Sequence, residues 1–74
     1  MSIHLAGRLI RATADPTRDG MLLRVNLHDW DEARVREREL VTLTVGGIDH
    51  AYRVRSVLRC PGGEPEAGVW VIES

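Results

Sequence analysis

The residues of this 74-residue chain that could catalyse a reaction are few and scattered along the sequence. They are His4, His28, His50, Ser56 and Cys60, together with the carboxylates. An active site needs a nucleophile or base that an orienting partner holds inside a cleft. His28 precedes Asp29, but adjacent residues of a strand point to opposite faces of the sheet. We therefore predict a protein that is not an enzyme and has no catalytic residues.

The chain also lacks the usual patterns for metals, phosphates and disulfides. Cys60 is the single cysteine, so no disulfide can form within the chain and no Cys/His spacing predicts a structural metal. The glycine pairs Gly46-Gly47 and Gly62-Gly63 are typical of turns rather than of a phosphate-binding loop. A domain this small leaves little room for a ligand pocket. We expect no cofactor, no metal and no small-molecule substrate.

The balance of charge bears on possible partners. The formal net charge is −1, which disfavours a protein that grips nucleic acid mainly by neutralising phosphates. All ten basic residues are arginine and none is lysine. Planar guanidinium groups suit carboxylate or phosphate partners, but the codon bias of a GC-rich genome would give the same composition. Both interpretations stay open at this stage.

The N-terminal segment superficially resembles an exported protein. Residues 1–14 end in an Ala-x-Ala pattern, but no basic region precedes the apolar run, which His4 and Arg8 interrupt. No stretch is apolar over the length needed to span a bilayer. With one free thiol and no export signal, we expect a cytoplasmic protein and no membrane partner.

Most of the sequence alternates between apolar and polar residues, as half-buried strands do. A first strand is predicted over residues 3–12, with Gly7 marking a bulge or bend. Residues 13–20 form a connection rich in turn-forming residues. Residues 21–28 form a second strand, and a loop over 60–68 leads to a last strand over 69–73.

Residues 29–39 break this alternation and predict a short helix or an ordered loop. Asp29 and Glu32 have the spacing of a helix-capping pair, and Glu32 and Arg36 have the i,i+4 spacing of a helical ion pair. Trp30 could anchor this segment to the core.

Residues 41–55 predict a β-hairpin around a two-residue turn of type I′ at Gly46-Gly47. This turn places Val45 opposite Ile48, Leu43 opposite His50 and Val41 opposite Tyr52. One face of the hairpin is then apolar and must meet the core, and this face also holds Ile48 and His50. The other face carries Arg53 and Arg55, and regular pairing must end near Leu40 or be interrupted by a bulge.

Five strands with one short helix or ordered loop between the second and third predict a single all-β domain over residues 1–74. Closing the strands into a barrel hides their edges. A Src-homology-3-like, Sm-like or OB-like small barrel is therefore the expected architecture.

Binding to a protein partner or to a second copy of the chain is the favoured function. Arginine and tryptophan are the residues that most often contribute strongly to interfaces. The predicted site contains Arg24, Arg53 and Arg55, with Trp30 or Trp70 where exposed, facing an acidic partner or another copy. Nucleic-acid binding is the alternative, because five arginines could share one side of the barrel: Arg8, Arg24, Arg53, Arg55 and Arg59. It lacks support from exposed aromatic residues, on which single strands stack.

A further alternative rests on a resemblance. The segment VTLTVGGIDHAYRVRSVLR, residues 41–59, resembles the closing hairpin of phage head–tail joining proteins, in which a glycine turn leads into an aromatic-x-valine strand. The resemblance would imply a phage-type assembly or adaptor protein.

Overall fold

The computed structural model describes residues 2–5, 7–45 and 47–74, and most of them lie in strands. The elements are β1 (Ser2–Leu5), β2 (Arg8–Pro16), β3 (Gly20–Asn26), α1 (Leu27–Ala33), β4 (Leu40–Val45), β5 (Ile48–Arg59), a 3₁₀ turn (Pro61–Gly63) and β6 (Glu66–Glu73). The strands form one antiparallel sheet in the order β1-β2-β3-β6-β5-β4. Its outermost strands β1 and β4 pack against each other, so the sheet is a nearly closed barrel. The predicted small all-β barrel is confirmed, with six strands rather than five.

The additional strand arises at Gly7, where the predicted first strand is in fact two. Gly7 has a φ of +79°, a conformation that glycine adopts without steric cost. The chain reverses there, and Leu5 pairs with Arg8 across the hairpin. The buried positions change from odd in β1 (Ile3, Leu5) to even in β2 (Ile10, Ala12). Leu9 conceals this change in the sequence, because it is apolar at an odd position although it is 67% exposed.

Strand β2 is longer than predicted and belongs to two pairings. Its residues 8–11 pair with β1, and its residues 12–16 pair with β3. The predicted connection over 13–20 therefore shrinks to residues 17–19, closed by a hydrogen bond from the Thr17 amide to the Gly20 carbonyl (2.9 Å).

Helix α1 lies between the second and third predicted strands, as expected, but it starts earlier. The side chain of Asn26 caps it by accepting from the amides of His28 (2.9 Å) and Asp29 (3.3 Å). An asparagine at this position satisfies amides that the helix itself leaves unpaired. The prediction that Asp29 begins the helix is therefore wrong, and His28 is helical rather than part of a strand.

The end of α1 also differs from the sequence prediction. The helix ends at Ala33, and Arg34 takes the left-handed conformation with a φ of 54°. Arg36 therefore lies beyond the helix, and Glu32 pairs instead with Arg8 (2.6 Å) and with His28 (2.9 Å). The predicted Glu32–Arg36 ion pair is wrong.

The β4–β5 hairpin has the register predicted from its apolar pattern. Val45 pairs with Ile48, Leu43 with His50 and Val41 with Tyr52. The predicted turn type depends on Gly46, which lies outside the described residues. Ile48 is 63% exposed and His50 is also exposed, so placing them in the core was wrong. Leu43, which pairs with His50, is fully buried, so at this level the core covers β4 but not β5, whose pairing with β6 begins only at Tyr52.

Regular β4–β5 pairing ends at Leu40, which pairs with Arg53. A bulge at Arg55 follows, between Val54 and Ser56 in the pairing of β5 with β6. Of the two alternatives predicted for the β4–β5 pairing, the end near Leu40 is therefore confirmed, whereas the bulge belongs to the other edge of β5. The bulge inserts one residue and keeps Val54 and Val57 both on the core side.

The core is apolar throughout the part of the chain that the structure describes. Its buried members come from every strand and from α1: Ile3, Leu5, Ile10, Ala12, Leu23, Val25, Trp30, Ala33, Val41, Leu43, Tyr52, Val54, Ala67, Val69 and Val71. Within that part, no buried side chain is polar or charged, and no helix has the length and apolar character needed to cross a membrane.

Candidate functional site

Three neighbouring strands, β3, β6 and β5, present an outward surface in the middle of the sheet. We call it the outer face, formed by the outward residues Leu22 and Arg24 of β3, Gly68, Trp70 and Ile72 of β6, and Arg53, Ser56 and Leu58 of β5 together with bulged Arg55. The registers fix its rows: Leu22, Trp70 and Ser56 form one row, and Arg24, Gly68 and Leu58 form the next. Side chains of one row lie side by side across the strands.

Gly68 is the lowest point of this face, because it has no side chain in the central strand. A groove of about 330 Å³ lies over it. Its lining residues are Leu22, Arg24, Leu58, Pro61, Gly62, Glu64, Glu66, Gly68 and Trp70. The six-membered ring of Trp70 and the end of Leu22 stand 3.7–3.8 Å from the position that a Cβ on Gly68 would occupy. We call this depression the Gly68 groove.

Trp70 is half-buried and separates the Gly68 groove from a second depression. The second depression has a volume of about 340 Å³ and is lined by Arg55, Ser56 and Trp70. The bulge therefore has a consequence for the surface, because it sets Arg55 beside the tryptophan. A partner that covers Trp70 would contact both depressions at once.

The structure brings together three of the five residues predicted for the site. Arg24 lines the Gly68 groove, Arg55 lines the second depression, and Trp70 lines both. Arg53 lies on the same face but in the row of Ile72, and its Nη1 donates to the carbonyl of Arg38 (2.6 Å). Trp30 is 5% exposed, so it anchors α1 to the core and is not part of the exposed site.

The rim of the Gly68 groove is acidic on the side of the 60–66 loop, where Glu64 and Glu66 lie. Arg24 is the single basic residue of the lining, so the lining carries a net negative charge. The ion pairs among the described residues include neither Arg24 nor Arg55. The outer face is therefore polarised: Glu64 and Glu66 outweigh Arg24 on one side of Trp70, whereas Arg55 and Arg53 lie beside and beyond the tryptophan.

Sequence reasoning missed Gly68, Glu64 and Glu66 as site residues because it assigned residues 60–68 to a loop. Strand β6 instead begins at Glu66, and its apolar residues Ala67, Val69 and Val71 face the core. The alternation of these residues with Glu66, Gly68 and Trp70 is visible in the sequence. Extending the strand back over Gly68 would have placed the glycine beside the tryptophan on one face.

Two other arginines proposed for a basic face are engaged with α1. Arg59 donates from Nη1 and Nη2 to the two carboxylate oxygens of Asp31 (2.5 and 2.9 Å), and Arg8 pairs with Glu32 (2.6 Å). The hydrogen bonds from Arg59 lower the pKa of Asp31 below its ordinary value, and the same contact raises the pKa of Arg59. Through these ion pairs, Arg8 of β2 and Arg59 of β5 connect α1 to the barrel.

The residues first considered for catalysis lie apart from one another. His28 Nε2 contacts Glu32 (2.9 Å), the ring of His50 lies 6.5 Å from that of Tyr52, and His4 is exposed on β1. Cys60 is exposed at the start of the 3₁₀ turn. Within the described residues, no three His, Cys, Asp or Glu side chains are grouped as a metal site would require.

Comparisons of this chain with protein-family models, with curated proteins and with solved structures found no match.

Proposed function

We propose that this protein is a binding module that recognises a segment of a partner protein on its outer face. The observation that carries the proposal is the position of Trp70, half-buried between two depressions and flanked by Arg24 and Arg55. Tryptophan and arginine are the residues most often found to dominate the energy of protein interfaces. Leu22 and Leu58 add apolar surface beside them.

The shape of the site favours a segment rather than a small metabolite. Both depressions are open to solvent and lie side by side on a sheet surface, so an extended chain can follow them. A carboxylate of such a segment would find a partner in Arg55, since guanidinium groups bind carboxylates through paired hydrogen bonds. The proposal includes the cytoplasmic location expected from the sequence, where Cys60 would remain reduced.

Nucleic-acid binding is the weaker candidate on this geometry. Trp70 is the aromatic side chain of the outer face, whereas single-strand binders stack successive bases on several aromatics. Glu64 and Glu66 lie in the groove beside it and would repel phosphates. Arg8 and Arg59, which a phosphate track would use, are paired with α1.

The test is an affinity capture from a lysate of the organism that encodes the chain, with and without nuclease. The site variant is Arg24→Glu/Arg55→Glu, and the matched control is Arg18→Glu/Arg36→Glu, which changes the net charge equally at exposed positions outside the face. Arg53 is left intact because its bond to the Arg38 carbonyl makes it part of the structure. We expect one protein, retained after nuclease and by the control, to be lost from the site variant.

Three results would count against the proposal. Equal retention by the site and control variants would remove the outer face from the interaction. Loss of all binding after nuclease would favour nucleic acid. Sedimentation that shows a stable oligomer, dissociated by the site variant, would instead favour self-assembly through this face.

A further inference from the structure

We infer that the partner segment inserts a lysine or arginine side chain into the Gly68 groove and places a carboxylate at Arg55. The inference rests on the proposed function and specifies its ligand. Its basis is the different chemistry of the two depressions on either side of Trp70.

The Gly68 groove has the lining that a long basic side chain needs. Its floor at Gly68 and its sides at Leu22 and Leu58 are apolar, which suits the methylene stem of lysine or arginine. Its rim carries Glu64 and Glu66, which can pair with the charged end. A purely apolar side chain would fill the floor but would leave the carboxylate that Arg24 does not offset to be desolvated without a partner.

Trp70 strengthens this assignment. Its six-membered ring borders the groove, 3.7–3.8 Å from the position that a Cβ on Gly68 would occupy. A cation held near a tryptophan ring is attracted by the ring electrons, and arginine is the cation most often found there. Arg24 is the lining residue with the same charge as the proposed ligand side chain. It pairs with Gly68 across β3–β6 and lies diagonal to Glu66, so it offsets one carboxylate and leaves the other for the ligand.

The second depression favours an acidic ligand side chain rather than a basic one. Arg55 is its charged residue, with Ser56 and Trp70 beside it. A partner carboxylate suits this position, because Arg55 makes no ion pair among the described residues. The segment that covers both depressions must therefore be dipolar rather than uniformly acidic.

The register sets the spacing of the two charges. Gly68 pairs with Leu58, and Trp70 pairs with Ser56, so the depressions are offset by two residues along the strand and by one strand across. With about 3.3 Å per residue and about 4.8 Å between strands, the offset is roughly 8 Å. An extended peptide covers this distance in two to three residues. A basic and an acidic residue two positions apart also point to the same side of such a peptide.

The experiment selects binders from a displayed library of random nine-residue peptides, using the purified full chain. Parallel selections use two variants. Glu64→Gln/Glu66→Gln removes the negative charge of the groove rim, and Arg24→Glu/Arg55→Glu reverses the sign of the charge at both arginine positions. We expect the wild type to enrich peptides with Lys or Arg two or three positions from Asp or Glu. The Glu64→Gln/Glu66→Gln variant should lose the enrichment of the basic residue and keep that of the acidic one.

A measurement on one peptide completes the test. Replacing the basic residue of the best peptide by methionine should weaken its binding to the wild type at least about tenfold, and to Glu64→Gln/Glu66→Gln far less. Enriched peptides that are acidic only, and that Arg24→Glu/Arg55→Glu loses, would overturn this inference while supporting the proposed function. Failure of every selection to enrich peptides over a Trp70→Ala control would overturn both.

Discussion

Replacing Gly68 by alanine should make the protein more stable and its binding weaker. A glycine inside a strand costs about 0.5–1 kcal/mol relative to alanine, mainly through the entropy of the unfolded chain. The new Cβ would lie 3.7 Å from the Trp70 ring and 3.8 Å from Leu22, which is ordinary van der Waals contact. We therefore expect the free energy of unfolding to rise by about 0.5–1 kcal/mol, or about 2–8 °C in Tm for a domain of this size.

The same methyl group would fill the floor of the Gly68 groove. A ligand side chain seated there would have to move outward and would lose contacts with Trp70 and Leu22. A loss of about 1 kcal/mol in binding corresponds to about a fivefold rise in Kd. The assay is a pair of measurements on the same sample, namely thermal unfolding by circular dichroism and titration of the best selected peptide.

Gly20→Ala is the matched control, because Gly20 lies on the same β3–β6 ladder, opposite Ile72. A Cβ there would lie 2.0 Å from the Val71 carbonyl oxygen and 2.8 Å from the Cα of Ile72. Backbone atoms must then move, and overpacking of this kind costs about 1–3 kcal/mol. A Gly68→Ala variant that is destabilised like Gly20→Ala, or that binds as tightly as the wild type, would refute the assignment of the groove.

Other predictions concern the elements that support this face. Trp30→Ala should lower the free energy of unfolding by about 3–5 kcal/mol, as for other buried aromatic residues. Urea denaturation would measure this loss, provided that the dependence of the free energy on urea concentration is the same in both proteins. A loss below about 1 kcal/mol would mean that α1 is not anchored through this side chain. Asn26→Ala should cost about 1 kcal/mol through loss of the helix cap, and Asn26→Asp should restore most of it; equal losses in both variants would argue against capping. The pKa of the Asp31 carboxyl is lowered in the folded state, so the unfolded chain takes up a proton at this residue at a higher pH than the folded protein does. The stabilisation from the Asp31–Arg59 contact is therefore present above about pH 4 and is lost as the pH falls towards the lower folded-state pKa. Asp31→Asn should flatten that part of the stability profile, and a profile identical to that of the wild type would show that the Asp31–Arg59 contact is not maintained in solution.

The parts of the fold that sequence reasoning predicted correctly are those in which an apolar pattern admits one register. The pairing of Leu43 with His50 and the end of regular pairing at Leu40 both follow from the alternation in residues 41–55. Alternation cannot show where a strand leaves the core, however. His50 has a core-side position in the pattern and pairs with buried Leu43, but it lies before the part of β5 that pairs with β6 and is exposed.

The errors at the two ends of the helix have a different cause. Asn26 and Asp29 are both good capping residues, and the sequence pattern did not show which of them ends the strand. Tertiary structure decides: the helix begins at Leu27, and its Trp30 and Ala33 are buried in the core. The residues of the candidate site were predicted only in part, because the sequence shows residue types but not the space between side chains. Arg24, Arg55 and Trp70 stand out by residue type, whereas Gly68 matters through the space that it leaves.

Two irregularities of the sheet, Gly68 and the bulge at Arg55, both adjoin Trp70. Their occurrence at the same place is the physical argument that this surface has a function. Gly68 weakens the central strand β6, which makes pairings on both sides. The bulge at Arg55 interrupts the neighbouring pairing one row away. A 74-residue barrel has a small core, so it has little stability in reserve for local irregularities. Stability alone would favour alanine at position 68, because the space for its methyl group is present. A binding surface accounts for both features, since the glycine opens the depression on one side of the tryptophan and the bulge places a guanidinium group on the other.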